Sequence, residues 1–279
     1  MDDRFENLHL LFHQIRQYHT DFFINFFHNK NVAIVAPGKA LLSQNMGFEI
    51  DSYDVVVKIN FGYRLPPLDY GTRVDVLYFN KKIQLEHHWS NQLDDQGHLI
   101  KCNHSKILSF LDSLKLQHSD LQLIQLNSQS PINQPLSSTK YTYNIQYSFM
   151  PIIEHFFQQY LHSQTHPLLG TQAIIEILAC QPHSLKLFGF DFYNKVKVSP
   201  TLTYADLYPP QYYNSQKLNL HIDISHKDTL NIDISIITKV ILEFAHHRNT
   251  NSNKYNTSIL YTHAIKQILL NFIRLQQEV

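Results

Sequence analysis

Three short runs of apolar, mostly β-branched residues constrain the fold of this chain more than any other feature. They are Val32 to Ala36, Asp54 to Ile59 (DVVVKI) and Val74 to Phe79 (VDVLYF). Runs without a regular alternation of polar and apolar residues are typical of strands buried on both faces, and such strands occur in parallel sheets covered by helices. The N-terminal half therefore predicts buried parallel strands.

The remainder of the chain alternates between helical and strand-like patterns. Further strands are predicted at Leu121 to Leu126, at Leu185 to Gly189 and near Ile259. Helices are predicted at 81 to 96, 103 to 116, Ile145 to Tyr160, Leu168 to Cys180, Asp233 to His246 and in the last residues to Gln277. This alternation predicts an α/β fold with a single doubly wound, mostly parallel, Rossmann-like sheet.

Two segments are expected to lie outside the sheet. Residues 4 to 28 carry apolar side chains at three- and four-residue spacing, so residues 1–29 are predicted to be an N-terminal amphipathic helix and 30–279 one α/β domain. The helix is expected to pack on the domain; a peripheral contact with an inner membrane or a homo-oligomer contact is the alternative. Residues 194–225 contain several tyrosines and three prolines, and are predicted to be a small lid.

Charge and cysteine content exclude several classes of protein. Lys plus Arg and Asp plus Glu both number 23, which disfavours a nucleic-acid partner, because binding to phosphates requires a basic face. The 13% aromatic residues and zero net charge argue against disorder. Two cysteines, no secretory signal and no apolar run of about 18 residues favour a cytoplasmic protein.

Candidate binding residues stand at the ends of the predicted strands, where open α/β sheets bind their ligands. Gly38 follows the first strand in AIVAPGKALL, which matches neither the dinucleotide nor the P-loop pattern. Asn60 and Asn80 end the second and third strands. Their carboxamides could contact a base or a ribose, although asparagine is also a common turn residue.

Two later segments add further candidates. Gly170 begins a predicted helix, and Asp191 and Tyr193 follow the strand after it. His221 and His226 precede another helix in HIDISHKDTLNID. A histidine titrates near pH 6.5 and suits general base catalysis, but a single histidine in a loop is more often without a role.

Together these segments resemble a known family. Residues 31 to 80, 166 to 193 and 221 to 233 resemble, in order, three motifs of the bacterial lipo-oligosaccharide sialyltransferases and, more distantly, of the animal sialyltransferases with sialylmotifs. The matches cover about a third of the chain. The resemblance implies a nucleotide-sugar-binding domain that is a variant of the GT-A-like fold, in a cytoplasmic bacterial glycosyltransferase.

The resemblance also assigns roles to residues of this sequence. It implies a catalytic base at His226, phosphate-binding tyrosines at Tyr193 and Tyr204, and further candidates at His166 and His221. It implies donor-binding positions at Gly38, Asn60, Asn80, Gly170, Thr171 and Asp191. The sequence departs from the family pattern at Pro37, where Asn is usual, at His166, where bacterial members carry Arg, and at Leu168 and Leu169, which replace small hydroxyl residues.

The reaction implied is the inverting transfer of sialic acid from CMP-sialic acid to a glycan hydroxyl, in lipo-oligosaccharide or capsule synthesis. Its partners would be the CMP-sugar donor and a glycan acceptor. No cofactor and no metal are expected, because the donor has one phosphate and no D-x-D sequence stands at a strand end. The departures leave two alternatives open: a CMP-Kdo-dependent transferase of capsule or lipopolysaccharide assembly, and a non-catalytic nucleotide-binding or scaffold protein.

Overall fold

The computed structural model describes residues 4–38, 41–80, 104–127, 144–148, 153, 155, 169–190 and 258–261 of the chain. The predicted helices at 81–96, Asp233 to His246 and the C-terminus lie outside these residues, as does the predicted lid at 194–225. None of the helices in the described ranges has the length and apolar composition required to cross a membrane.

The described strands form one seven-stranded sheet of order β5-β4-β3-β2-β1-β6-β7. The strands are β1 (Asn31–Val35), β2 (Val55–Ile59), β3 (Val76–Asn80), β4 (Leu123–Asn127), β5 (Asn144–Ser148), β6 (Ser184–Phe188) and β7 (Ser258–Tyr261). All six neighbouring pairs are parallel. The predicted α/β, doubly wound sheet is confirmed, and these strands are entirely rather than mostly parallel.

Short and long helices connect the strands. The described helices are α1 (Arg4–Tyr18), α2 (Asp21–Phe27), α3 (Gly47–Asp51), α4 (Pro67–Tyr70), α5 (His104–Gln117) and α6 (Leu169–Ala179), with a 3-10 helix at Asn60–Arg64. The helices predicted at 103 to 116 and at Leu168 to Cys180 are therefore confirmed to within two residues.

The helix predicted from Ile145 to Tyr160 is wrong at its beginning. Residues Asn144–Ser148 form strand β5, which pairs with β4 at the end of the described sheet. In the sequence NIQYS, Ile145 and Tyr147 alternate with polar residues, which is the two-residue period of a strand. Five residues are too few to distinguish this period from a helical one when helical spacing continues afterwards.

The N-terminal segment is two helices rather than the one predicted over residues 4 to 28. Helix α2 has its own N-cap at Thr20, whose Oγ1 accepts a hydrogen bond from Phe23 N at 3.3 Å. The break turns His19 inward, where its ring stacks on Phe23 at a centroid distance of 4.0 Å. His19 Nε2 lies 3.7 Å from the buried Glu176 carboxylate of α6.

The two faces of the sheet are covered differently. One face, with Val32 and Ile34 of β1, packs in a large apolar cluster with residues of α1, α2 and α6. The other, with Ala33 and Val35, packs against a smaller cluster that comprises Leu41, Ile50, Leu65, Tyr70 and other residues of the short elements between β1 and β3. We call these the helix-covered face and the turn-covered face.

Candidate functional site

The strand order defines where a ligand site belongs. Because all the described strands are parallel, their carboxyl ends lie along one edge of the sheet. The order reverses at β1, which has β2 on one side and β6 on the other. Open α/β sheets bind ligands outside the carboxyl ends at such a switch point. The candidate site is therefore the crevice beyond β1, bordered by the ends of β2, β3 and β6.

The ends of β1 and β6 lie unusually close together. Ala36 N donates to Phe188 O at 2.9 Å, one residue beyond β1. Gly189 follows β6 with a φ of 68°, and a Cβ at this position would overlap the Ala36 carbonyl oxygen. Only glycine satisfies both the left-handed conformation and this approach. Two segments about 150 residues apart in the chain thus meet at the crevice.

The two predicted binding asparagines lie at the ends of β2 and β3, on the side of β1 opposite β6. Ile59 is level with Tyr78, so Asn60 and Asn80 end adjacent strands one residue apart in register. Neighbouring strands are about 4.8 Å apart, so β1, β2 and β3 together span about 10 Å, close to the width of a nucleoside. Asn60 has a φ of 51°, in the left-handed region that asparagine tolerates and that often marks functional sites.

Helix α6 begins at the same edge. Gly170 lies in its first turn, and a Cβ there would be 2.8 Å from Phe190 Cε1, just beyond β6. Contact with Phe190 therefore accounts for this glycine without a ligand. Thr171 is buried, and Leu169 belongs to the apolar cluster of the helix-covered face. The replacement of a small hydroxyl residue by Leu169 is thus accommodated in the core.

Gly38 is held from the turn-covered face. The hydroxyl of Tyr70, a fully buried residue, donates to Gly38 O at 2.7 Å. Tyr70 ends α4, and its own carbonyl accepts a hydrogen bond from Lys58 Nζ of β2. Lys58 Nζ also donates to Gly71 O at 3.5 Å. A chain of hydrogen bonds therefore joins the middle of β2, the end of α4 and the turn after β1.

Lys58 is electrostatically unusual because its side chain is fully buried. Burial lowers the pKa of Lys58 from 10.5 to about 7, while the Asp51 carboxylate acts in the opposite direction. Both the charged and the neutral amine carry enough hydrogens to donate to two carbonyl oxygens. The bracing contacts therefore do not depend on which form is present.

The carboxylates of the turn-covered face are bonded to backbone amides. Asp51 accepts from Thr72 N and Arg73 N at 2.9 and 3.0 Å, and Asp75 accepts from Val56 N at 2.7 Å. Asp69 accepts from Asn45 N at 2.9 Å. These bonds fix the connections on either side of α4. Within the described ranges, no three His, Cys, Asp or Glu side chains are grouped so as to hold a metal ion.

The described residues contain only part of the predicted site. Gly38, Asn60, Asn80, Gly170 and Thr171 share the carboxyl edge of the sheet. The other predicted site residues lie outside the described ranges, namely His166, Asp191, Tyr193, Tyr204, His221 and His226.

Sequence reasoning missed Lys58 and Tyr70. The signal for Lys58 was a lysine inside the run VVVKI, which requires a buried partner when the strand is covered on both faces. Tyr70 has no comparable signal in its sequence neighbourhood, because its hydroxyl bonds to a carbonyl 32 residues away.

No protein-family model matches the chain, and no curated protein is significantly similar to it in sequence. Among solved structures it is similar to the sialyltransferase CstII of Campylobacter jejuni in complex with the substrate analogue CMP-3FNeuAc, with 16% identity, a TM-score of 0.46, and coverage of 87% of this chain and 84% of that one. It is also similar to the monofunctional α-2,3-sialyltransferase Cst-I of the same organism, with 12% identity, a TM-score of 0.38, and coverage of 89% of this chain and 72% of that one. A mammalian sialyltransferase in complex with Gal-β-1-3GalNAc-ortho-nitrophenol has 14% identity and a TM-score of 0.34, with coverage of 66% of this chain and 65% of that one. All three TM-scores are below 0.5, and the fold described above rests on the strand order and registers of this chain.

Proposed function

We propose that this chain is a glycosyltransferase that transfers sialic acid from CMP-sialic acid to a hydroxyl of a glycan. One observation carries the proposal. The segments that resemble the first two sialyltransferase motifs, 31–80 and 166–193, are joined by the β1–β6 pairing, and their described strand ends border one crevice. Segments far apart in sequence that were selected for a common ligand are expected to meet in this way.

In the proposed division of roles, the β1 side of the crevice holds the nucleotide. The backbone at Gly38 approaches CMP, while the carboxamides of Asn60 and Asn80 contact CMP and the leaving group. Gly170 and Thr171 border the cytidine, and Asp191 is a further donor-binding candidate. Donor and acceptor groups of a carboxamide can pair with both the base and the ribose, which explains the use of asparagine.

The proposed chemistry is an inverting displacement at the anomeric carbon. His226 takes the proton of the acceptor hydroxyl as its oxygen attacks, and the bond to CMP breaks through an oxocarbenium-like transition state. CMP leaves as a phosphate monoester anion. Hydroxyls of Tyr193 and Tyr204 donate to this phosphate, each lowering the barrier by roughly 2.7–4 kcal/mol if the site excludes water. His166 and His221 are further candidates for contacts with the donor.

Metal independence is part of the proposal. A CMP-sugar has one phosphate, which hydroxyl groups can stabilise without a bridging divalent ion. The carboxylates of Asp51, Asp69 and Asp75 are already bonded to backbone amides. The setting in bacterial lipo-oligosaccharide or capsule synthesis rests on the sequence resemblance alone. Addition of EDTA is expected to leave the transfer rate unchanged.

Calorimetric titration with CMP tests the nucleotide site. Replacing Asn60 with alanine should weaken CMP binding by about tenfold or more, because a buried polar contact is lost. Asn29→Ala is the matched control: its φ of 57° gives a similar backbone cost, but it precedes β1 and so lies toward the opposite edge of the sheet. If Asn60→Ala and Asn29→Ala bound CMP with equal affinity, the proposal that CMP contacts the end of β2 would be wrong.

A transfer assay tests the chemistry. His226→Ala should abolish transfer from CMP-sialic acid while CMP binding persists, and near-normal turnover would refute the assignment of the base. The same assay with CMP-Kdo separates the two donors. CMP binding without transfer or hydrolysis of either donor would favour the non-catalytic alternative.

A further inference from the structure

Among the described residues, the buried side chain of Tyr70 holds the beginning of the turn that follows β1. The last hydrogen bond that links the β1 end to β6 is Ala36 N to Phe188 O, so the residues immediately beyond it are not fixed by that pairing. Gly38 O instead accepts the Tyr70 hydroxyl at 2.7 Å. Because Tyr70 is fully buried, this hydroxyl cannot exchange its partner for bulk water without opening the turn-covered face.

Tyr70 is in turn fixed at its backbone. Lys58 Nζ donates to Tyr70 O, and the Lys58 stem packs beside Gly62, where a Cβ would be 3.7 Å from Lys58 Cβ. The backbone of Gly71 closes the same turn, since Gly71 N donates to Pro67 O at 2.8 Å. The Tyr70 ring is buried, its carbonyl accepts from Lys58, and its hydroxyl donates to the Gly38 carbonyl in the turn after β1.

We infer that Tyr70 is a positioning residue for the donor nucleotide, with Lys58 as its anchor, because it fixes the Gly38 carbonyl and thereby the turn that faces CMP. This inference rests on the proposed function. Tyr70 does not touch the donor; it acts by holding the β1 turn in the form that the nucleotide meets. Preorganisation of this kind lowers the ordering cost of binding, so its loss is expected in affinity for the nucleotide.

The test compares two single-oxygen deletions in the wild-type chain. Tyr70→Phe removes the hydroxyl that holds Gly38. Tyr78→Phe is the control, since Tyr78 is equally buried but belongs to the cluster of the helix-covered face. Calorimetry gives the Kd for CMP, amide hydrogen exchange reports on peptides covering residues 33–42, and urea unfolding reports on stability.

Wild type and Tyr78→Phe are expected to bind CMP alike, while Tyr70→Phe binds about tenfold more weakly and exchanges faster at residues 33–42. A purely structural role for Tyr70 predicts a lower urea midpoint for Tyr70→Phe and the same Kd for CMP in all three chains. That result would overturn the positioning role and leave the CMP site intact. Failure of all three chains to bind CMP would instead overturn the proposed function, and the inference with it.

Discussion

The helix-covered and turn-covered faces of the sheet are stabilised by different interactions. The helix-covered face buries a continuous apolar cluster beneath α1, α2 and α6. On the turn-covered face, the described segment between β1 and β3 contains short helices of four and five residues, α4 and α3. Its connections are fixed by side chains bonded to backbone atoms. Apolar burial is non-directional, whereas hydrogen bonds fix individual atoms. Stability should therefore depend mainly on the first face and site geometry on the second.

Among the described residues, a buried polar cluster on the helix-covered face departs from this division. Glu176 of α6 accepts a hydrogen bond from Gln125 Nε2 at 3.1 Å and lies 3.7 Å from His19. All three residues are buried. The cluster joins α6, β4 and the break between α1 and α2, so it fixes how the N-terminal helices sit on the sheet. It lies beneath the sheet rather than at its carboxyl edge.

The largest effect is expected from Gly189→Ala at the edge of the turn-covered face. A Cβ here would overlap Ala36 O and lie 3.1 Å from Leu41 Cδ1, and the φ of 68° is unfavourable for alanine. The strain and the overlap together should cost roughly 4 kcal/mol of stability and also weaken CMP binding. Chemical unfolding and calorimetry measure the two effects.

Gly62→Ala is the control for this substitution, because a Cβ at Gly62 would make only a 3.4 Å contact with Val35 O. Its loss of stability should stay below about 1 kcal/mol. If Gly189→Ala behaved no worse than Gly62→Ala, the close approach of β1 and β6 would be contradicted.

Ile177→Ala separates stability from binding on the helix-covered face. Ile177 is fully buried in α6, and its truncation should cost about 3 kcal/mol through lost burial and a residual cavity. Below its unfolding transition, the variant should bind CMP with wild-type affinity. Phe48→Ala removes a side chain that is 90% exposed and should change neither quantity. A large loss of CMP affinity in Ile177→Ala would abolish the proposed division between the faces.

Lys58→Met tests the turn-covered face through pH. The folded pKa of Lys58 is lowered to about 7 from 10.5, so between these values the unfolded chain binds more protons and stability rises with pH. Between pH 7 and 9 this group should add about 2 kcal/mol to the stability of the wild type. Lys58→Met should lack that increment in urea unfolding at the two pH values.

Two neighbouring groups bear on this measurement. Asp51 raises the pKa of Lys58 against the effect of burial. Burial lowers the pKa of His118 from 6.5, a backbone hydrogen bond with Thr72 raises it, and the charge of Lys58 lowers it further. The His118 ring therefore titrates below pH 7, outside the interval compared. If the free energy of unfolding changed with pH equally in wild type and Lys58→Met, the Lys58 ammonium would not be desolvated as its burial requires.

The sequence predicted the two faces unequally. Strands β1, β2 and β3 were predictable because short runs rich in β-branched residues favour buried strands, and helix α6 because its apolar residues continue over eleven positions. The pairing of β1 with β6 was not predictable from the strands alone, because the common doubly wound order places β1 beside the fourth strand and here β1 lies beside the sixth. The Tyr70–Gly38 bond and the role of Lys58 were not predictable, because they depend on side-chain contacts between elements that are distant in sequence. Local patterns therefore predict the helix-covered face better than the turn-covered face.

The smallest expected effect concerns the break between α1 and α2, which the sequence pattern did not reveal. Thr20→Ala removes the Oγ1 that accepts from Phe23 N and should cost about 1 kcal/mol, the typical value of an N-cap. Thr20→Ser keeps the cap and should restore most of that stability. CMP affinity should be unchanged in both variants, because the cap lies between α1 and α2, the helices that pack on the helix-covered face. If Thr20→Ala were as stable as wild type, the Thr20 side chain would not stabilise the beginning of α2.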